Sequence, residues 1–306
     1  MRTLTYIIGD GYDRQQLKSF LKNEVGLSSR LVKSLKNSDV GFLRNGEHIR
    51  TVDYIFAGDK IEINLDEGKN EIEPTYGQLD IVFEDDDLLV VNKSPFVAMH
   101  PTHNHQGDTL ANDVAGHLEK KNKKCTFRSI GRLDKGTSGL CVVALNTLSA
   151  SLLSQKKIKK TYYAVAEKVF EGEGVINKPI FRPDPMKTMR AVGENGDKAV
   201  TFWKALCSDG ERTLLEIHLE TGRTHQIRVH FAHLGAPLTG DRLYGQERDD
   251  ITHQALHCGK IEFIHPIDRQ EVSLCADLPE DMKKIVKNMH PVCNNIPEII
   301  SKIFID

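Results

Sequence analysis

The sequence predicts an α+β fold, a mixed and largely antiparallel sheet with flanking helices, and two patterns carry that expectation. Segments of β type come in adjacent pairs joined by short polar turns: 79–83 and 88–93 around an acidic turn, then 199–207 and 213–220. Between them lie stretches with apolar residues at helical spacing, Leu110, Val114 and Leu118 in one and Leu148, Leu152 and Leu153 in another. The 306 residues suffice for one large or two ordinary domains. A hydrophobic content of 39% and a charged content of 27% are those of a soluble globular protein.

Taken in order, residues 1–66 read as a small α/β module. Leu17, Phe20 and Leu21 share one face of a helix over 14–23. Ser28 or Ser29 can cap a second helix running to Lys36, with Leu31, Val32 and Leu35 inward. Arg30, Lys33 and Lys36, three apart, then form a cationic stripe on its outer side. An alternating 40–43 segment, an Asn45-Gly46 turn, a Gly58-Asp59 turn and an alternating 61–65 segment complete the module. Residues 67–77, polar and interrupted by Gly and Pro, read as a linker that would let the module move.

Residues 78–289 form the second predicted domain, and 290–306 a C-terminal tail without a functional reading. His100, His103 and His105 lie close together, but no carboxylate or cysteine completes a metal-ligand set, so a polar loop without metal is expected. Asp108 is placed to cap a helix over 109–121 that ends in Lys120, Lys121, Lys123 and Lys124. In the 129–140 stretch Gly131, Gly136 and Gly139 favour a sharply turned loop that presents the single carboxylate of Asp134. A buried strand (140–145), a helix capped by Asn146 and a strand carrying Tyr162 (161–166) follow. Residues 172–198, rich in Gly, Pro and charge, read as a long loop. Thr224 is placed to cap a helix ended by Gly235, with Arg228 at the edge of its apolar stripe; a last helix spans 277–289.

A net charge of −2 and a pI of about 6.7 exclude a strongly basic bulk nucleic-acid binder, so any such contact must rest on local basic patches. No apolar run reaches about 18 residues and the N-terminus lacks a signal-peptide core, so a cytoplasmic location and no membrane partner are expected. The six cysteines are scattered, as buried thiols of a reducing compartment would be.

Arg132-Leu133-Asp134, followed by Thr137-Ser138-Gly139, resembles the catalytic signature of the RluA-type RNA pseudouridine synthases. A second block, Thr221 to His230 with Gly235-Ala236-Pro237-Leu238-Thr239-Gly240-Asp241 and Tyr244-Gly245, is similar to that family's second signature. The resemblance covers roughly 78–278. It implies a central catalytic cleft, isomerisation of uridine to pseudouridine in RNA, and no cofactor. Asp134 would act at the sugar, Tyr162, in a Lys160-Thr161-Tyr162 run like the family's Lys-x-Tyr, would contact the uracil, and Arg228 would pair with Asp134. Arg132, Thr137, Arg223, His225 and Gln226 are the candidate substrate-binding residues. The N-terminal module resembles an S4-type RNA-binding domain, which makes Arg30, Lys33 and Lys36 candidate RNA contacts; Lys187 and Arg190 of the long loop are others. Ribosomal RNA is favoured over transfer RNA, and a monomer is expected. Two positions depart from the pattern: Gly131 stands where the family often has histidine, and Lys93-Ser94-Pro95-Phe96 replaces Lys-Pro-x-Gly. The rival readings are a catalytically silent RNA-binding protein and a glycoside hydrolase, which would need a second carboxylate.

Overall fold

The computed structural model describes residues 2–65, 72–102, 105–123 and 126–304, and its architecture is α+β. The main sheet runs, strand by strand, Glu173–Asn177, Val200–Ser208, Thr213–Leu219, Lys159–Ala166, Leu256–Ile264, Ser138–Ala144, Leu88–Lys93 and Ile81–Glu84. Along that path one pairing is parallel, Ser138 beside His257 and Gly139 beside Cys258; the others are antiparallel. Ser138–Ala144 is buried along its whole length, so its near-continuous apolar run reads as a central strand.

Two predicted helix starts are met. Ser28 accepts a hydrogen bond from Leu31 N ahead of the Ser29–Leu35 helix, and Asn146 accepts from Ser149 N ahead of Thr147–Gln155. Asp108 is not a cap: Thr109 caps Leu110–Lys120 in a reciprocal box with Asn112, and Asp108 instead meets His105 Nδ1 at 2.6 Å. The 172–198 stretch is not one loop. Glu173–Asn177 adds a strand to the sheet edge, and Ile180–Phe181 pairs with Ala191–Val192.

Arg2–Ile7 form a strand not expected from the sequence, which pairs with Lys60–Leu65 in a second, four-stranded sheet. This module is docked rather than tethered alone. Its core, which includes Leu17, Phe20, Leu21 and Leu27, continues into Leu148 and Leu152 of the Thr147–Gln155 helix. Arg2 forks onto buried Asp87 at 3.1 and 2.9 Å, and Asn146 donates to the same carboxylate at 2.7 Å. Residue 66 and residues 67–71 of the expected linker lie outside the described residues. The expected tail is also engaged: His290–Pro291 pairs with Val200–Ser208, and Ile300 and Ile303 pack with Leu206, Leu278 and Met282.

Candidate active site

The parallel junction determines where the site lies. Gly139 (φ +108°) faces the Leu256–Ile264 strand so closely that a Cβ on it would fall 2.3 Å from the Cys258 carbonyl oxygen. Only glycine lets these backbones meet, which is the physical content of that position in the signature. His257 pins the same junction: its Nε2 faces the carbonyl of Ala276 at 3.1 Å, leaving Nδ1 to accept the Ser138 hydroxyl at 2.8 Å. Burial pushes this imidazole down to about 4, so it is neutral at physiological pH.

The turn carrying Asp134 is closed by Thr137 N donating to Asp134 O (3.0 Å) and Gly136 N donating to Pro95 O (2.7 Å). Beneath it the buried Lys93 ammonium donates to the carbonyls of Ser94 and Val97. Burial pushes Lys93 down to about 8, against the opposing pull of Cys141 and Asp134. The Lys93-Ser94-Pro95-Phe96 variant therefore serves as the seat of the Asp134 turn.

Asp134 faces a cleft of about 340 Å³, and its side chain keeps 15% exposure, enough to be met by a ligand. Three cationic or imidazole groups stand around its carboxylate: Arg228 Nη1 at 3.6 Å, His225 Nε2 at 3.8 Å and Arg132 Nη2 at 3.8 Å. The predicted pairing of Arg228 with Asp134 is thus met only at ion-pair distance. Its tighter partner is Asp241, which takes Nε and Nη2 at 2.7 and 2.8 Å in a bidentate fork. The fork uses one edge of the guanidinium and leaves Nη1 directed at Asp134. Asp241 also accepts from Leu243 N and Tyr244 N, and the Tyr244 ring lies 5.1 Å from the Arg228 guanidinium. Burial acts against the Arg228 charge, but Asp241 and then Asp134 more than offset it and hold the guanidinium above its ordinary value.

His225, not Thr224, directly precedes the Gln226–His233 helix, and it does so in a left-handed conformation (φ 58°) without a side-chain cap. That backbone turn aims its ring into the cleft. The Tyr244 hydroxyl accepts from Arg190 N and lies 2.8 Å from His225 Nδ1, which leaves Nε2–H for Asp134. Burial lowers the His225 pKa despite Asp134 beside it. Tyr162 is 7% exposed, lines the same cleft, and is held well above its ordinary value by burial first, with Cys258, Cys141 and Asp134 adding to it. Its phenol therefore stays protonated at neutral pH.

Two candidate substrate contacts have their polar atoms occupied. The Gln226 amide donates to Val200 O and Thr201 Oγ1 while its oxygen accepts from Thr221 Oγ1 and Arg223 N. Thr137 is 2% exposed and meets the Gln254 amide at 3.0 Å. Arg223 stays on the rim, its Nε donating to Lys198 O, between the Asp134 cleft and a neighbouring cleft of about 470 Å³ that holds Arg182 and Arg190. Arg30, Lys33 and Lys36 are exposed along the Ser29–Leu35 helix without an acidic partner among the described residues. The basic cluster after Leu118 is different: Lys121 pairs with Glu84, Lys123 with Asp86, and Lys120 lies over the Tyr76 ring. Lys124, Cys125, His103 and Asn104 lie outside the described residues. Asp241 and Tyr244 belong to the second signature block, but nothing local in the sequence marks them as the holders of Arg228 and His225.

The family model described as RNA pseudouridylate synthase matches residues 87–233, a span that includes Asp134, Tyr162 and Arg228. The chain belongs to the RluA-type RNA pseudouridine synthases and is an isomerase acting on RNA. It is 39% identical over 294 residues to "Uncharacterized RNA pseudouridine synthase YhcT" of Bacillus subtilis, a match that covers 94% of this chain and 97% of that one. To "Ribosomal large subunit pseudouridine synthase D" of Pasteurella multocida it is 34% identical over 253 residues, covering 76% and 78%. Among solved structures, "Human RNA Pseudouridylate Synthase Domain Containing 1" superposes with a TM-score of 0.58 at 25% identity, over 77% of this chain and 98% of that one.

Proposed function

We propose that this pseudouridine synthase modifies large-subunit ribosomal RNA in the cytoplasm, with Asp134 reacting at the ribose, Arg228 holding that carboxylate, and Tyr162 against the uracil. The observation that carries the site is the accessible Asp134 carboxylate opposite the clamped Arg228 Nη1. A negative charge in a half-closed cleft needs a fixed counter-charge, and a guanidinium already locked by Asp241 supplies one without reorganising during the reaction. Asp241 cannot itself be a second reacting carboxylate, because it is fully buried, and Glu220, the other carboxylate lining the cleft, is taken up by Lys198 Nζ at 2.7 Å. That argues against a glycosidase pair.

A stacked uridine cannot reach this cleft, so the nucleotide is flipped out of its helix, and the flat Tyr162 ring offers it a surface. Since the Tyr162 hydroxyl stays protonated, its role is contact with the base rather than that of a resting anion. Arg182, Arg190 and Arg223 around the neighbouring cleft are placed for the phosphates next to the flipped nucleotide, and Arg30, Lys33 and Lys36 for a more distant helix. The ribosomal choice rests on relatives named ribosomal large subunit pseudouridine synthase D. Tritium release from uridine C5 in separated ribosomal and transfer RNA tests it. Release from the large-subunit fraction is expected; release confined to transfer RNA would overturn the substrate assignment and leave the chemistry standing.

A further inference from the structure

Among the described residues, one cation lining the cleft has no partner. Lys160 stands two residues before Tyr162 in the Lys159–Ala166 strand, so strand alternation turns both side chains to the same face, about 7 Å apart along the chain. Both line the Asp134 cleft. The other cations there are engaged: Arg228 with Asp241, Lys157 with Glu220 O at 2.7 Å, Arg223 with Lys198 O, and Arg132 near Asp134. Lys160, half-buried, has neither an ion pair nor a hydrogen bond for its ammonium among the described residues. A buried or half-buried charge left unpaired costs stability, and such a cost is retained where a ligand supplies the partner.

Gly131 shows where the ammonium stands. A Cβ built on Gly131 would meet a single neighbour within contact range, Lys160 Nζ at 3.3 Å. The lysine tip thus fills the space before Arg132-Leu133-Asp134 that a side chain at 131 would take, and the left-handed φ of +77° keeps that position glycine.

We infer that Lys160 contacts the detached uracil and stabilises its negative charge, in the space that Gly131 leaves open. This rests on Asp134 being the residue that reacts at the sugar. When N1–C1′ breaks, the bonding pair leaves with N1 and the uracil becomes an anion. Asp134 either bonds C1′ through a carboxylate oxygen or takes the C2′ proton to leave a glycal, and the base carries the charge in both cases. Attack of C5 on C1′ then restores the carboxylate or returns the proton to C2′; loss of the C5 proton and protonation of N1 complete a balanced isomerisation. A fixed cation beside the base lowers the barrier to the first step and does little for binding of the neutral uridine.

The test measures single-turnover tritium release at saturating enzyme, and RNA affinity separately, for wild type, Lys160→Met, Lys160→Arg and Asp134→Asn. Lys160→Met is expected to slow release by about 10²- to 10³-fold, the range for loss of one charge-stabilising donor, with RNA affinity nearly unchanged. Lys160→Arg should recover part of the rate. RNA carrying 5-fluorouridine supplies a second readout, since the fluorinated base is a more stable anion. Its consumption, followed in nuclease digests, should be slowed less by Lys160→Met than reaction of uridine is. A Lys160→Met protein with the wild-type rate at saturation and weakened affinity would make the lysine a phosphate contact and overturn the inference. An equal deficit on both bases, or no recovery with arginine, would overturn it too. Activity in Asp134→Asn would instead overturn the site reading on which the inference rests.

Discussion

The two walls of the Asp134 cleft are built differently. On the Gln226–His233 wall every cation or imidazole facing Asp134 is itself held from behind: Arg228 by Asp241, His225 by Tyr244, and Gln226 ties the start of that helix to the Val200–Ser208 strand. On the facing wall Lys160 is unpaired among the described residues, Arg132 is two-thirds exposed and meets Asp134 only at 3.8 Å, and the Tyr162 ring lines the cleft. The first wall fixes the carboxylate before substrate arrives, at the cost of burying a charged pair. The second leaves its groups for the substrate. The difference teaches that preorganisation is carried by residues 225–244 and recognition by residues 132–162, joined only by the fold.

The largest effect should come from opening the held wall. Asp241→Ala leaves the Arg228 guanidinium buried without its fork and should cost about 3–5 kcal/mol of unfolding free energy, measured by denaturant titration. An Asp241→Ala protein as stable as the wild type would show that the fork does not hold this wall. Next in size is the response to acid. His257 has a folded pKa of about 4 against an ordinary value of 6.5, so between those values the unfolded chain binds the proton and the folded one does not. Stability is therefore intact above pH 6.5 and falls as the pH drops towards 4, by about 3 kcal/mol in all. Unfolding free energies at both ends of that range check it, and His257→Gln should flatten the slope. If the slope is unchanged in His257→Gln, the acid response belongs to other groups.

On the open wall, Tyr162→Ala should lose most single-turnover activity through lost stacking, whereas Tyr162→Phe should keep most of it, because the hydroxyl stays protonated. A Tyr162→Phe protein as inactive as Tyr162→Ala would assign the hydroxyl a part in proton transfer. The smallest effect is the most remote. Replacing Arg30, Lys33 and Lys36 by alanine should lower the slope of log affinity against log salt by about 2–3 and leave the rate at saturation unchanged. An unaltered slope would remove that helix from the RNA interface.

Much of the open wall was legible in the sequence, and less of the held one. Asp134 and Tyr162 lie in short runs whose local form, a glycine-rich turn and an alternating strand, the residues themselves specify. Arg228 was legible as a charge near an apolar stripe, but its partner Asp241 is thirteen residues on and meets it only through the Leu238–Gly245 turns. The left-handed His225 could not be foreseen from composition, and Thr224 took the role of cap because its chemistry suits one. Gly172 and Gly174, with Pro179 just beyond, disguised the Glu173–Asn177 edge strand as loop, since an edge strand tolerates a glycine. The docking of the N-terminal module was hidden for another reason: Leu148 and Leu152 read equally well as facing either core.

The central claim is that the Asp134 carboxylate performs the isomerisation, and it is tested most directly by tritium release from C5-labelled ribosomal RNA with wild type and Asp134→Asn side by side, their melting temperatures matched. The account predicts release by the wild type and none by Asp134→Asn, whose fold keeps the turn bonds of Gly136 and Thr137. Release at a comparable rate from a folded Asp134→Asn protein would contradict it.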